Sequence, residues 1–214
     1  MDAFGASAPV TEVTMRFGSL LVGAGLLLAM PASADAPAMR ESLLHAYEED
    51  MNEHARYLAY ARQAEGEGYH QAARVFRATA EAERVRAERH ARALRRAGWE
   101  PRANLESPSV RSTRANLSRA LLHERSERDE GYPRRGDRAR REGDAETEHA
   151  FTLSRDAHEA LVSLYREALR DLEAMRDVRE ELHVCLVCGH VAKGRAPHRC
   201  PISHVATEAF ARVD

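Results

Sequence analysis

The chain has 214 residues, of which 31% are charged, 43% hydrophobic and 6% aromatic, with a formal net charge of −2. That length holds one medium domain plus a small appendage. The low aromatic share suits amphipathic helices over a β-sandwich, and the near-even charge balance argues against a nucleic-acid partner. Lys193 is the sole lysine among 32 basic residues, a compositional bias to which no function is attached.

The first shift in composition lies at the N-terminus. Phe17 to Met30 is a 14-residue run without charge, preceded by Arg16 and followed by Pro31-Ala32-Ser33-Ala34. As a helix it would rise about 21 Å, short of the roughly 30 Å hydrocarbon core of a bilayer. A basic start, a short apolar run and an Ala-x-Ala end predict a cleavable export signal over residues 1–34, with Met15 as an alternative start and a short buried helix as the competing explanation. The expected location is periplasmic, or cytoplasmic if the leader is not a signal. No cysteine follows the cleavage site, so no stable membrane anchor is expected after cleavage.

From Pro37 the pattern is helical. Leu44, Tyr47, Met51, His54, Leu58 and Ala61 step by threes and fours, with Leu43, Asp50 and Tyr57 alongside, until Glu65-Gly66-Glu67-Gly68 breaks the helix. A second stripe runs Ala72, Phe76, Thr79, Glu83, Arg86, His90, Leu94 and stops at Gly98 and Pro101. Residues 98–112 are a polar linker. A third helix starts near Ser112 or Thr113 with Leu117, Ala120, Leu121, Glu124 and Glu127 on one side. The fourth carries Phe151, Ser154, His158, Leu161, Tyr165, Ala168, Leu172 and Met175. Two helical hairpins joined by a crossover predict an all-α four-helix bundle over residues 35–178. The segment Glu124 to Glu148 fits this scheme least. It holds nine acidic and seven basic residues with Gly131, Pro133, Gly136 and Gly143, which suits a solvated, frayed helix or a mobile loop, with composition favouring the loop.

The charges on the apolar stripes carry the chemistry. Asp50, Glu83, Glu124 and Glu127 lie on or beside them, and the fourth helix offers His158. Converging buried carboxylates need cations, protons or a metal. Four of them with an imidazole inside a bundle form the ligand set of a dinuclear iron or manganese site. The competing explanation is a stripe misphased by one position, which would put these charges on the surface.

Residues 179–214 form a separate module. Cys185-Leu186-Val187-Cys188 is followed, after eleven residues, by Cys200-Pro201-Ile202-Ser203. This is a four-thiolate metal site with its last ligand replaced. Three thiolates with a hydroxyl or imidazole could hold iron or zinc; Ser203 is a poor ligand near neutral pH, while His204 or His198 would complete a Cys3His set. A strained Cys185–Cys188 disulfide is the alternative in an oxidising compartment.

Several stretches resemble the rubrerythrin family over most of the chain from about Glu41 to Val213. They include Ser42 to Tyr47, Ala55 to Ala61, Glu67-Gly68-Tyr69, Val75 to Ala78, Ala115-Asn116-Leu117, Tyr132-Pro133, Arg141-Glu142-Gly143, Leu164 to Leu169 and Val184 to His190. The resemblance implies a ferritin-like bundle with a di-iron site and a rubredoxin-like domain holding one iron. It also implies peroxide reduction to water in oxidative-stress defence, with hydrogen peroxide as substrate and electrons from a donor protein. A homodimer in which one subunit's tail serves the other's bundle belongs to the same implication.

Carried over residue by residue, the family's first-helix glutamate falls on Asp50, and its second-helix Glu-x-x-His becomes Glu83-Arg84-Val85-Arg86. Glu124 and Glu127 match, while the fourth helix's Glu-x-x-His becomes His158-Glu159-Ala160-Leu161. In the tail Cys185, Cys188 and Cys200 match and Ser203 stands for the fourth cysteine. Three functions stay open from these departures. One is a weakened di-metal peroxidase on Asp50, Glu83, Glu124, Glu127 and His158, helped by His54 or His90. The second is a non-catalytic scaffold or interaction protein in which Arg86 neutralises the carboxylates in place of iron. The third, more remote, is an exported metal-binding module using scattered histidines.

Overall fold

The computed structural model describes residues 36–214. The apolar run expected to act as an export signal lies outside them. Among the described residues, no helix is long and apolar enough to cross a membrane.

Five helices build the bundle: α1 (Ala36–Gly66), α2 (His70–Arg96), α3 (Thr113–Ser126), α4 (Tyr132–Arg141) and α5 (Ala145–Arg170). Helices α1 and α2 form one hairpin. In the second, α5 returns along α3 and α4, which are joined by one π-helical turn, Glu127–Gly131. The linker between hairpins is pinned across α1, where Asn52 Nδ2 donates to the Asn104 carbonyl at 3.0 Å and Asn52 Oδ1 accepts from the Glu106 amide at 2.8 Å. Ser112 caps α3 and Asp144 caps α5 through the Thr147 amide at 3.0 Å, which satisfies amide donors left free at a helix start.

The charged segment expected to be a loop is helical instead. Pro133 sits in the first turn of α4, where a missing amide proton costs least. The wider π turn ahead of it is closed by the Tyr132 amide on the Glu127 carbonyl. Gly131 in that turn leaves room for the Glu127 carboxylate, whose Oε2 a Cβ there would meet at 2.6 Å and push aside. Composition misled here because the segment's charges pair, some with one another and some across helices, as Arg135 does with Glu127 in the segment and with Glu49 on α1, at 2.5 Å each.

The expected stripes of α2 and of the fourth helix are buried throughout, although α5 ends at Arg170 and Leu172 and Met175 are buried beyond it, before and within a 3-10 turn. That of α1 is displaced by one position. Its buried line runs Leu43, Ala46, Asp50, Glu53, Tyr57, Ala61 and Ala64, while Leu44, Tyr47, Met51, His54 and Leu58 lie half-buried on the flank. The centre of the core is aromatic: Phe76 has ring centroids of Tyr60, Tyr165 and Tyr57 at 5.4, 5.9 and 6.3 Å.

The tail is a three-stranded antiparallel sheet in the order β2 (Val191–Lys193), β1 (Leu182–Cys185), β3 (Phe210–Val213). Leu182, Val184 and Val191 are buried in the same apolar cluster as Val75, Ala78 and Ala82 of α2. The tail therefore rests on the bundle of its own chain, against a helix whose small side chains allow close approach. Truncating Phe76 to alanine should lower stability by about 3–5 kcal/mol, measured by urea unfolding; a loss below about 1 kcal/mol would show that the aromatic centre is not the principal support of the bundle.

Candidate metal centre

Helices α2, α3 and α5 bring Glu83, Glu124 and His158 together in the bundle interior. One ligand atom from each lies within 4.8 Å of the others, and all three residues are buried. The His158 ring is set by its own helix: Nδ1 donates to the Ser154 carbonyl at 2.6 Å. That leaves Nε2 as a lone pair, 3.5 Å from Glu124 Oε2, the orientation a metal-ligating histidine needs. Tyr57 donates to Glu124 Oε1 at 2.7 Å, while Oε2 has no hydrogen-bond partner.

Asp50 stands apart from this cluster. Its Oδ2 accepts from His90 Nδ1 at 2.8 Å and its Oδ1 from the Tyr132 hydroxyl at 3.2 Å. Glu127 turns toward Arg135 beside Gly131. His54 is tied to the Ala80 carbonyl at 2.7 Å. Of the five bundle residues expected to hold metal, three converge and two are engaged elsewhere.

The decisive neighbour is Arg86. Its side chain is fully buried and forks onto Glu83, with Nε donating to Oε2 at 3.1 Å and Nη2 to Oε1. A guanidinium keeps its charge in such a place, and its field reaches Asp50 and Glu124 as well. Burial still dominates the acids. It pushes Glu124 up to about 8, reinforced by the charge of Glu83 and opposed by Arg86. Asp50 and Glu83 are each raised to about 7, again chiefly by burial and against the pull of Arg86. Burial holds His158 and His90 well below the usual imidazole range. Protons and Arg86 thus offset much of the negative charge of these acids. This donor set does not fit a dinuclear iron centre: a fixed cation occupies Glu83, and Asp50 and Glu127 point to other partners. A single divalent ion on Glu83, Glu124 and His158 is the most it accommodates.

The tail residues do fit a metal. Cys185, Cys188 and Cys200 are buried, reduced and convergent. Cys188 Sγ lies 3.5 Å from Cys200 Sγ, and Ser203 Oγ lies 3.4 Å from Cys185 Sγ, so the serine closes the fourth corner. A hydrogen bond from Cys188 brings the Cys185 thiol down to about 4 and raises that of Cys188 itself, so a thiolate forms readily at this knuckle. His204, expected as a possible fourth ligand, is exposed and outside the cluster. It occupies a left-handed turn (φ 59°) whose amide bonds the Cys200 carbonyl at 3.0 Å, and His198 is exposed as well.

Glu53, Tyr57 and Tyr132 were not anticipated. Glu53 is buried and pairs with Arg56 and, at 3.7 Å, with His123. Its spacing of three from Asp50 was the available signal, hidden by the one-position error in the α1 stripe. Tyr132 was hidden inside the segment taken for a loop.

A family model described as rubrerythrin matches residues 41–159. Relatives include nigerythrin from Nitratidesulfovibrio vulgaris, 32% identical over 172 residues that cover 79% of this chain and 84% of that protein. Rubrerythrin-2 from Clostridium acetobutylicum is 26% identical, covering 78% of this chain and 92% of the relative. Among solved structures, nigerythrin in its fully reduced, all-ferrous state gives a TM-score of 0.76 at 26% identity, covering 94% of this chain and 100% of that one. The bundle is ferritin-like, the tail's cysteine knuckle is of the rubredoxin kind, and the chain belongs to the rubrerythrin family.

Proposed function

We propose that this is a rubrerythrin-type non-haem iron protein of oxidative-stress defence that works as a one-electron carrier. One iron is held on Cys185, Cys188, Cys200 and Ser203, and the bundle serves as an arginine-neutralised scaffold in place of a di-iron peroxidase. The observation that carries this is the buried, forked Arg86–Glu83 pair in the middle of the carboxylates. Iron bound at the tail supplies a ferrous–ferric couple. The chain's own residues exclude water from it, since all three cysteines are buried, and Ser203 supplies an oxygen at the fourth corner. An electron-donor protein is the expected partner, and export to the periplasm is supported by the run Phe17–Met30. A second function, slow peroxide chemistry on one divalent ion, is favoured by the unpartnered Glu124 Oε2 and the free Nε2 of His158.

Anaerobic loading of the full chain with ferrous iron and zinc, followed by elemental analysis and visible spectra, separates the two. About one iron per chain, lost in Cys185→Ala, is expected. Arg86→His should raise iron uptake by the bundle. Two further irons in the parent protein, with rapid peroxide-driven oxidation, would overturn the scaffold function.

The proton balance gives an independent check on metal-free protein. Glu124 keeps its proton to about pH 8 when folded but loses it near the ordinary glutamate value of 4.5 when unfolded. Between those values the folded state binds more protons, so the stability due to Glu124 is fully present below about pH 4.5 and declines as pH rises toward 8. The stability of the parent relative to Glu124→Gln should therefore fall with pH across that window, by up to about 1.4 kcal/mol per unit. Denaturant titrations of both proteins in chelator at pH 5.5, 7 and 8.5 measure it. A pH-independent difference would mean that Glu124 is ionised throughout.

A further inference from the structure

We infer that Arg89 is a positioning residue for the tail metal: it holds the cysteine knuckle on the bundle and biases the metal there toward its electron-rich state. This inference rests on iron binding at the tail, as proposed above.

The geometry is specific. Arg89 lies one helical step from Arg86 on α2 and reaches across to the tail. Its Nη1 donates to the Val187 carbonyl at 3.3 Å, inside the turn between Cys185 and Cys188. Its Nη2 donates to the Ala150 carbonyl at 3.0 Å and to Ser154 Oγ on α5, so one guanidinium joins α2, α5 and the knuckle. All these acceptors are neutral. Among the described residues Arg89 has no carboxylate within ion-pairing distance, in contrast to Arg86, Arg128 and Arg135, and its Nε is buried without a partner.

A half-buried guanidinium without a counter-anion is costly. A metal–thiolate group on Cys185, Cys188 and Cys200, in the knuckle whose Val187 carbonyl Arg89 binds, would bring negative charge to it. Close approach of the knuckle is also built in. Gly189, at φ 76°, lies so near α2 that a Cβ would come within 3.0 Å of the Ala82 carbonyl and 3.2 Å of Arg86 Nη1. Arg86 is forked onto Glu83, whereas Arg89 has no ion-pairing carboxylate at this contact.

Reduction of the bound iron from ferric to ferrous adds one electron and one unit of negative charge to the group, with no ligand gained or lost. A fixed positive charge nearby favours the reduced side. Removing the charge should shift the ferrous-to-ferric ratio at a set potential by about tenfold, equivalent to about 59 mV for one electron. The full chain loaded with iron is compared with Arg89→Met, which keeps a stem and loses the charge, and with Arg89→Lys, which keeps the charge and loses the fork. Potentials come from voltammetry, and iron content and helicity are recorded for each. A lower potential in Arg89→Met, with Arg89→Lys near the parent, is the expected result. Equal potentials in all three would overturn the role of Arg89 alone. An equal drop in both variants would show that the fork acts only by holding the turn, and would overturn the electrostatic bias. If Arg89→Met fails to fold, Ser154→Asp, which places a carboxylate beside Arg89, should lower the potential in the same direction, and an unchanged value there would equally overturn the inference. Absence of any iron wave in the parent would instead overturn the function proposed above, and this inference with it.

Discussion

The forked pairing of Arg86 with Glu83 governs the interior of the bundle. A guanidinium with no exposure has to meet a carboxylate squarely, because an unpaired buried charge is far more costly than a paired one. Once Glu83 is committed, the remaining acids are balanced in other ways. Glu124 and Asp50 retain protons into the neutral range because burial disfavours their ionised forms. Tyr57 and Tyr132 supply hydroxyl donors to them. Glu127 leaves the interior for Arg135, in the space that Gly131 leaves open. Arginine, protons and tyrosine hydroxyls thus share the work of offsetting a cluster of buried acids.

The same helix makes the second half of the molecule possible. One side of α2 carries Glu83, Arg86 and His90 into the bundle, and small residues such as Ala78 and Ala82 let the tail sheet approach. Leu182, Val184 and Val191 join the bundle's own apolar cluster, so docking of the tail is part of the core. Polar contacts then set its register: Gln71 Nε2 donates to the Glu180 carbonyl at 3.0 Å, and Lys193 pairs with Glu167 of α5 at 2.5 Å. The three thiols are held together by local hydrogen bonds of the knuckles, which explains why the site remains well formed although its fourth cysteine is a serine.

Much of this was legible in the chain. The stripes of α2 and α5, the spacing of the cysteines and the departures at Arg86, His158 and Ser203 are all local features, visible from period and residue type. The errors share one cause, which is that a partner lay elsewhere in sequence. The α1 stripe was read one position off because Leu44, Met51 and Leu58 are more apolar than the Ala46, Asp50 and Glu53 that are actually buried. The helix α4 has no apolar stripe to announce it, and it is held partly by local pairs such as Arg140 with Asp137 and partly by Glu49 of α1. His204 was offered as a ligand by adjacency, yet the left-handed turn that brings Ser203 to the thiols places it in solvent.

The sequence by itself determined the helical period, the two-module organisation, the family and the inventory of acids, thiols and arginines. Tertiary structure alone decided that Glu83, Glu124 and His158 converge while Asp50 and Glu127 do not, that Arg86 lies among them, and that Arg89 reaches the cysteine knuckle. Periodicity states which face of a helix is buried, but it carries no information about axial offset between helices. Whether two charges meet or miss depends on a few ångströms of that offset, and packing of the whole core sets it.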